Sequence, residues 1–374
     1  MKYFIIAGEA SGDLHGANLM RELQKTDTDA VFRFLGGDLM AAIGGKPLIH
    51  YREMAFMGVW EVALHLKNIR QNFRLCKNSL LEFHPDVVIL IDYPGFNLNM
   101  AKFAKKNGYR VFYYISPKIW AWKKSRVKLV KAYVDKMFTI LPFETGFYQS
   151  HDYSVDYIGN PVMDAVTDSL EKPVDRNDFI NKNKLEEKPI IALLSGSRKQ
   201  EIDRCLPQML GAAKYYNDYQ FIIAGAPSIE KSYYQKYIAG HNVKIVYDQT
   251  YDLLRNSTAA VVTSGTATLE TALFNVPEVV IYKTSNISYI IGRPIVKIKF
   301  FSLVNLILDR EAVKELLQFH LERDIKTELD KILYDEKYRH QMLASFQELR
   351  KILGTRRSSE AAALLMHKYL NSKN

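Results

Sequence analysis

Apolar residues along this chain come in two spacings. Short runs rich in apolar, β-branched and aromatic residues occur at 4–7, 32–35, 87–91, 110–115 and 136–140, the 87–91 run being unbroken. Each is too short for an ordinary helix and reads as a strand, in the clearest case (87–91) one buried on both faces of a parallel sheet. Between them apolar positions recur at helical spacing, which predicts helices over 97–107 and 124–134. Strand and helix alternate, so residues 1–165 are expected to form a doubly wound, Rossmann-like α/β domain. Residues 159–189 hold GNPVMDAV and then a run rich in Lys, Asn, Asp and Glu, the composition of an interdomain linker. The pattern then restarts, with strands expected at 190–194, 220–224, 243–246, 259–263 and 278–281 and a helix running from SGSRKQEI to about residue 216. A second Rossmann-like domain over 166–340 follows from this. From residue 322 the chain is helical in pattern, with C-terminal helices over 341–374 ending in a charged surface helix near 359–370. Two Rossmann-like halves of similar size imply a central cleft between them.

One helical stretch, 56–83, has an unusual face. Val59, Val62, Leu66, Ile69 and Phe73 form an apolar stripe, and Lys67, Arg70, Arg74 and Lys77 form a basic one beside it, with Trp60 near its start. Such a helix either faces a core with a solvated basic side or lies on an anionic membrane, its cations at lipid phosphates.

Composition narrows the classes. The 374 residues are 48% hydrophobic and 25% charged, which is ordinary for a globular protein and excludes disordered and fibrous classes. A formal charge of +10 favours an anionic partner, either a phosphorylated metabolite or an anionic membrane surface. No Arg-rich tail or RNA-binding signature is visible, so nucleic acid is not expected. Cys76 and Cys205 belong to no ligand cluster, which fits a reducing cytosol. The run at the N-terminus is broken at Glu9, too soon for a secretory leader, and nowhere do about 18 apolar residues follow one another. Membrane contact is therefore expected to be peripheral.

Candidate chemistry gathers where strands end. Asp92 closes the 87–91 run just before Pro94-Gly95, where open α/β sheets place their ligands. It is either a turn or N-cap residue of the following helix or a carboxylate made basic by desolvation. After the first strand, AGEASGDLHGANL spaces its glycines as Gly8, Gly12 and Gly16, which is not the dinucleotide fingerprint, and crowds Glu9, Ser11, Asp13 and His15 into one turn. Asp27-Thr28-Asp29 spells the DxD of metal-dependent glycosyltransferases but precedes a strand, so it reads as a solvated loop. Two turns of the second half suit phosphate. In SGSRKQEI, Gly196 and Ser197 let backbone approach an anion and Arg198 can fork two of its oxygens. In TSGTATLE, Ser264, Gly265, Thr266 and Thr268 open a helix whose N–H groups suit a diphosphate, with Glu270 placed to accept from ribose hydroxyls. Asn305, between Leu303 and Leu306, either satisfies buried backbone or faces a cleft.

AGEASGDLHGA, FMGVWEV, PDVVILIDYPGFN, YYISPKIWAWK, LPFE, GSRKQEI, SGTATLE and NLILDREAVKELLQ are ordered along nearly the whole chain. Together they resemble the lipid-A-disaccharide synthases, GT-B glycosyltransferases of Gram-negative bacteria. The resemblance implies an inverting hexosyltransferase that joins UDP-2,3-diacylglucosamine to 2,3-diacylglucosamine 1-phosphate (lipid X), giving a β-1′,6-linked disaccharide 1-phosphate and UDP. It implies Asp92 as the catalytic base, roles in activity for Glu9, Arg198 and Asn305, and a UDP-binding turn at Ser264 to Glu270. It further implies no metal, no cofactor beyond the UDP-sugar donor, and a cytoplasmic enzyme peripheral on the inner membrane. The C-terminal helices are expected to cross to the partner domain or to a second subunit of a homodimer. The chain departs from the family pattern at Ser195, Asn160 and Val304, which replace Pro, His and Pro. Two other classes would share the scaffold: a UDP-N-acetylglucosamine 2-epimerase, which needs no lipid surface, and a non-catalytic two-lobed binding protein.

Overall fold

The computed structural model describes residues 1–54, 66–122, 124–285 and 299–372. It divides into two compact units, Met1–Pro161 with Thr355–Asn374, and Val162–Gly354.

The first unit is built on a seven-stranded sheet with every neighbouring pair parallel, in the order β3-β2-β1-β4-β5-β6-β7. Its strands are β1 (Lys2–Ala7), β2 (Val31–Gly36), β3 (Ile49–His50), β4 (Val87–Ile91), β5 (Arg110–Tyr114), β6 (Lys136–Thr139) and β7 (Asp156–Tyr157). Residues 3–7 and 87–91 are buried, as runs with no polar alternation must be when both faces of a sheet are covered. Alternate residues of β4 point to two cores. Val88 and Leu90 join Phe4, Ile6 and Met100 on one face, while Val87, Ile89 and Ile91 join Tyr3, Ile5, Leu19 and Leu23 on the other.

The second unit repeats the plan with six parallel strands in the order β10-β9-β8-β11-β12-β13. These are β8 (Ile190–Leu194), β9 (Gln220–Gly225), β10 (Val243–Tyr247), β11 (Ser257–Thr263), β12 (Glu278–Tyr282) and β13 (Lys314–Leu317). Strand order reverses at one place in each sheet, between β1 and β4 in the first and between β8 and β11 in the second. Beyond the carboxyl ends of such a strand pair lies the crevice where doubly wound sheets hold ligands.

Several expectations need correction. The segment expected to be a linker folds as helices Pro161–Leu170 and Arg176–Lys182. Of its apolar side chains Val166, Phe179 and Ile180 are buried while Leu170 is exposed, and Arg255 donates to the carbonyls of Ser169 and Lys172, both at 2.8 Å. The final helix, Ser358–Asn371, is not merely a charged surface element. Ala362, Ala363 and Met366 enter the first unit's core, and Arg110 donates to the carbonyls of Tyr369 and Leu370 at 3.2 and 3.0 Å. The helix before it, Glu336–Leu353, stays with the second unit. β3, β7 and β13 were not expected, being short or too polar to stand out as apolar runs. Of the stretch 56–83, Leu66–Phe83 is helical, while Val59, Trp60 and Val62 lie outside the described residues.

Candidate functional site

At the first switch point the ends of β1 and β4 run side by side, with Ala7 opposite Ile91, so Gly8 and Glu9 leave the sheet next to Asp92. Gly8 is required there: a Cβ would sit 2.3 Å from the Tyr93 ring. Asp92 and Tyr93 both adopt left-handed backbone, with φ of 41° and 48°. For side chains of this kind such a conformation costs of order 1–3 kcal/mol per residue and persists only when its surroundings enforce it. The enforcement is visible. The Asp92 carbonyl accepts from Tyr113 Oη at 2.5 Å and from Asn97 Nδ2 at 2.7 Å, Asn97 Nδ2 also donates to the Ile91 carbonyl at 3.1 Å, and Tyr93 Oη donates to the Met54 carbonyl at 2.9 Å.

The helix that follows, Pro94–Lys106, has Tyr93 at its N-cap and no side-chain cap. The Asp92 carboxylate is thus not consumed by capping. Burial raises its pKa to about 6, repulsion from Glu9 adds to the rise, and Lys118 together with the Tyr93 N–H opposes it. Lys118 comes from the turn after β5. Trp120, in the short helix Ile119–Trp122 that follows, donates Nε1 to Glu144 Oε1 at 3.2 Å, and burial lifts the Glu144 carboxyl to about 7.

Asp13, His15 and the glycines Gly12 and Gly16 of this stretch serve structure. Asp13 accepts the N–H groups of Gly37, Leu39 and Met40 at 2.7, 3.1 and 3.1 Å, bracing the neighbouring helix Asp38–Gly44. Burial holds His15 near pKa 4, neutral in the physiological range. Gly12 and Gly16 allow close packing, against Ala7 and against Met40 and Ile91. Asp27 of the DxD triplet accepts from Tyr3 Oη at 2.9 Å, which leaves it a structural residue.

At the second switch point the two turns differ. Gly196 has φ of 104°, and a Cβ on it would meet Glu201 at 2.5 Å. Glu201 Oε2 accepts the N–H groups of Ser197 and Arg198 at 2.9 and 3.3 Å, so the protein's own carboxylate occupies this backbone cradle. A Glu at the third position of a helix reaching back to its start is a sequence signature, and Glu201 carries it. The Arg198 side chain is 61% exposed and only 3.9 Å from Glu201, a loose pairing that leaves the guanidinium open to a ligand.

Beyond β11 the helix Thr266–Leu273 begins after Gly265. Ser264 Oγ donates to the Phe301 carbonyl at 2.8 Å and Thr268 Oγ1 to the Gly265 carbonyl at 2.9 Å. The N–H groups of Thr266 and Ala267 meet no acceptor among the described residues, and Thr266 is exposed. Glu270 is half-buried, its pKa raised by desolvation, and its Oε1 accepts from Tyr251 Oη at 2.8 Å.

Asn305 is buried and fully engaged. Its Nδ2 donates to the Val313 carbonyl and to Glu315 Oε1, at 2.9 and 2.8 Å, while its Oδ1 accepts from Ala312 and Val313 at 2.7 and 3.0 Å. Glu315 in turn accepts the N–H groups of Phe301 and Ser302 at 2.8 and 2.9 Å, and the Phe301 carbonyl holds Ser264. Of the two readings of Asn305, satisfaction of buried backbone is the one observed.

A pH prediction arises from these surroundings. If Asp92 must be ionised to act, kcat/KM falls about tenfold per pH unit below about pH 6. Glu9→Gln removes a repulsion and moves that limb to lower pH, whereas Lys118→Met removes an attraction and moves it to higher pH. Steady-state profiles of the three proteins check both directions.

Two doubly wound parallel sheets, each with polar residues at its switch point, define a GT-B type α/β architecture. The fold is shared, at a TM-score of 0.67 and 16% identity over the full length of both chains, with a UDP-GlcNAc 2-epimerase from Neisseria meningitidis solved with UDP-GlcNAc bound. It is shared also with the glycotransferase of kitacinnamycin, at a TM-score of 0.64 and 11% identity over 99% of each chain. The model of the Lipid-A-disaccharide synthetase family matches residues 3–368, and the chain belongs to this family. A lipid-A-disaccharide synthase of Syntrophus aciditrophicus (strain SB) is 38% identical over 369 residues, 96% of each chain.

Proposed function

We propose that the chain works as an inverting glycosyltransferase in which Asp92 is the base and the second unit holds the departing UDP. The reaction condenses UDP-2,3-diacylglucosamine with 2,3-diacylglucosamine 1-phosphate. The acceptor's 6-hydroxyl oxygen bonds to the donor's anomeric carbon, the bond from that carbon to the diphosphate breaks, UDP leaves with its electron pair and the hydroxyl proton passes to Asp92. Attack opposite an α-linked leaving group gives the β product.

The observation that carries this reading is Asp92 itself, desolvated, uncapped and held in left-handed backbone at a switch point. A carboxylate with pKa near 6 stays ionised at neutral pH yet is a better proton acceptor than an ordinary Asp. In this proposal Arg198 and the free N–H groups of Thr266 and Ala267 meet the charge that grows on UDP, without a metal. Asn305 acts by bracing the Ser302 segment through Glu315, which keeps Ser264 in place. UDP release measured with each acylated sugar alone and with both tests the reading. Release only with both is expected, and equal release without the acceptor would contradict it.

For the acyl chains, a cavity of about 260 Å³ lined by Met54, Ile69, Phe73, Tyr93 and Phe96 opens beside Asp92's neighbour. Among the described residues no helix is long and apolar enough to cross a membrane. We propose peripheral contact with an anionic bilayer through the basic side of the 66–83 helix, on which Arg70 and Arg74 are exposed. The apolar stripe supports this less, since Phe73 packs on Phe96 at 4.1 Å between ring centroids. Replacing Lys67, Arg70 and Arg74 by Ser is expected to weaken binding to anionic vesicles and leave UDP affinity unchanged, as read by vesicle sedimentation and calorimetry.

A further inference from the structure

Glu270 is a half-buried carboxylate one turn inside the helix that opens at Gly265, and its two oxygens are treated differently. Oε1 accepts the Tyr251 hydroxyl at 2.8 Å, whereas Oε2 meets no donor among the described residues. Tyr251 reaches it from a separate element, the helix Thr250–Arg255 that follows β10, and its ring rests on Phe274 with 4.9 Å between centroids. A carboxylate left to itself rotates about its last torsion and, when desolvated, tends to take up a proton. A fixed phenol O–H on one oxygen suppresses both, since it orients the group and favours its charged form. The lone pairs that remain are then held in set directions. Vicinal hydroxyls fit that arrangement, because a carboxylate offers acceptors only and a diol offers two donors.

We propose that Tyr251 is a positioning residue that sets the Glu270 carboxylate for the ribose 2′- and 3′-hydroxyls of the donor nucleotide. This deepens the functional reading given above and rests on its placement of UDP at this helix. The phenol is not a contact of the nucleotide; it acts through Glu270.

The test is calorimetric titration of the full-length protein with UDP and with 2′,3′-dideoxy-UDP, which lacks the two donors. The parent is expected to prefer UDP. Tyr251→Phe keeps the ring on Phe274 and is expected to weaken UDP by about 3- to 10-fold, the size of one ordinary hydrogen bond because the phenol acts only through Glu270, while leaving the dideoxy ligand nearly unchanged. Glu270→Gln is expected to abolish most of the preference, and adding Tyr251→Phe to it to change UDP binding no further. If Tyr251→Phe weakens both ligands equally, or still costs affinity in the Glu270→Gln background, the tyrosine is only a packing residue and the inference is overturned. If Glu270→Gln leaves the preference for UDP intact, the fault lies instead with the placement of the ribose at Glu270.

Discussion

Asp92→Asn slows turnover by about 10²- to 10⁴-fold while the protein keeps its fold and its affinity for UDP. The size is the usual worth of a general base, and the selectivity follows from what the carboxylate touches. Among the described residues the carboxylate accepts from the Tyr93 N–H, which an amide oxygen can also do. Asn is moreover one of the few residues at ease in the left-handed region, so φ of 41° at this position is retained at little cost. The Tyr113 and Asn97 bonds run to the backbone carbonyl and are indifferent to the change. Steady-state rates with both acylated sugars, alongside UDP titration and a thermal melt, separate lost chemistry from lost structure. Unchanged turnover would remove Asp92 from the role of base.

Glu278→Met stabilises the second unit by about 2–4 kcal/mol at pH 8, the cost of a buried polar group left without partners and kept protonated against solvent. Glu278 opens β12 opposite Ala260, is completely buried, and neither carboxylate oxygen has a hydrogen-bond partner among the described residues. Burial pushes its pKa well above that of an ordinary carboxyl. Above about pH 4.3 the unfolded chain therefore releases a proton that the folded chain keeps. By linkage, stability is lost as pH rises from that value toward the folded pKa. Met suits the site because it is apolar, of similar volume, and adjoins Met342, whose sulfur lies 3.4 Å from the residue 278 nitrogen. Thermal melts at pH 5 and pH 8 should show a gain for the variant that is larger at pH 8. A lower melting temperature at both would mean that the carboxyl has a partner, such as buried water.

Fold and site were legible to different depths. The long central strands could be read because a sheet covered on both faces demands unbroken apolar runs, and 87–91 and 190–194 coincide with β4 and β8. The edge strands β3, β7 and β13 carry polar residues such as His50, Asp156 and Glu315, so their pairing is visible only in the sheet. The helices within 159–189 were hidden by a polar composition in which few apolar side chains, Val166, Phe179 and Ile180 among them, become buried. Asp92, Glu9, Arg198 and the Ser264 turn could be located from strand ends, since that is where α/β sheets present groups to ligands. Their supports could not. Tyr113 reaches Asp92, Tyr251 reaches Glu270, and Glu315 links Asn305 to Ser302, each across a sequence separation that no local pattern encodes. The anion cradle expected at Gly196 holds Glu201, a substitution of intramolecular for external charge that a Glu at the third helical position announces.

The most direct test of the account is the linkage in the product made by the purified chain from UDP-2,3-diacylglucosamine and 2,3-diacylglucosamine 1-phosphate, read by mass spectrometry and by the anomeric proton coupling. One disaccharide 1-phosphate per UDP released is expected, β-linked to the 6-position. An α-linked disaccharide, a UDP-sugar epimer, or UDP released with free sugar and no disaccharide would contradict it.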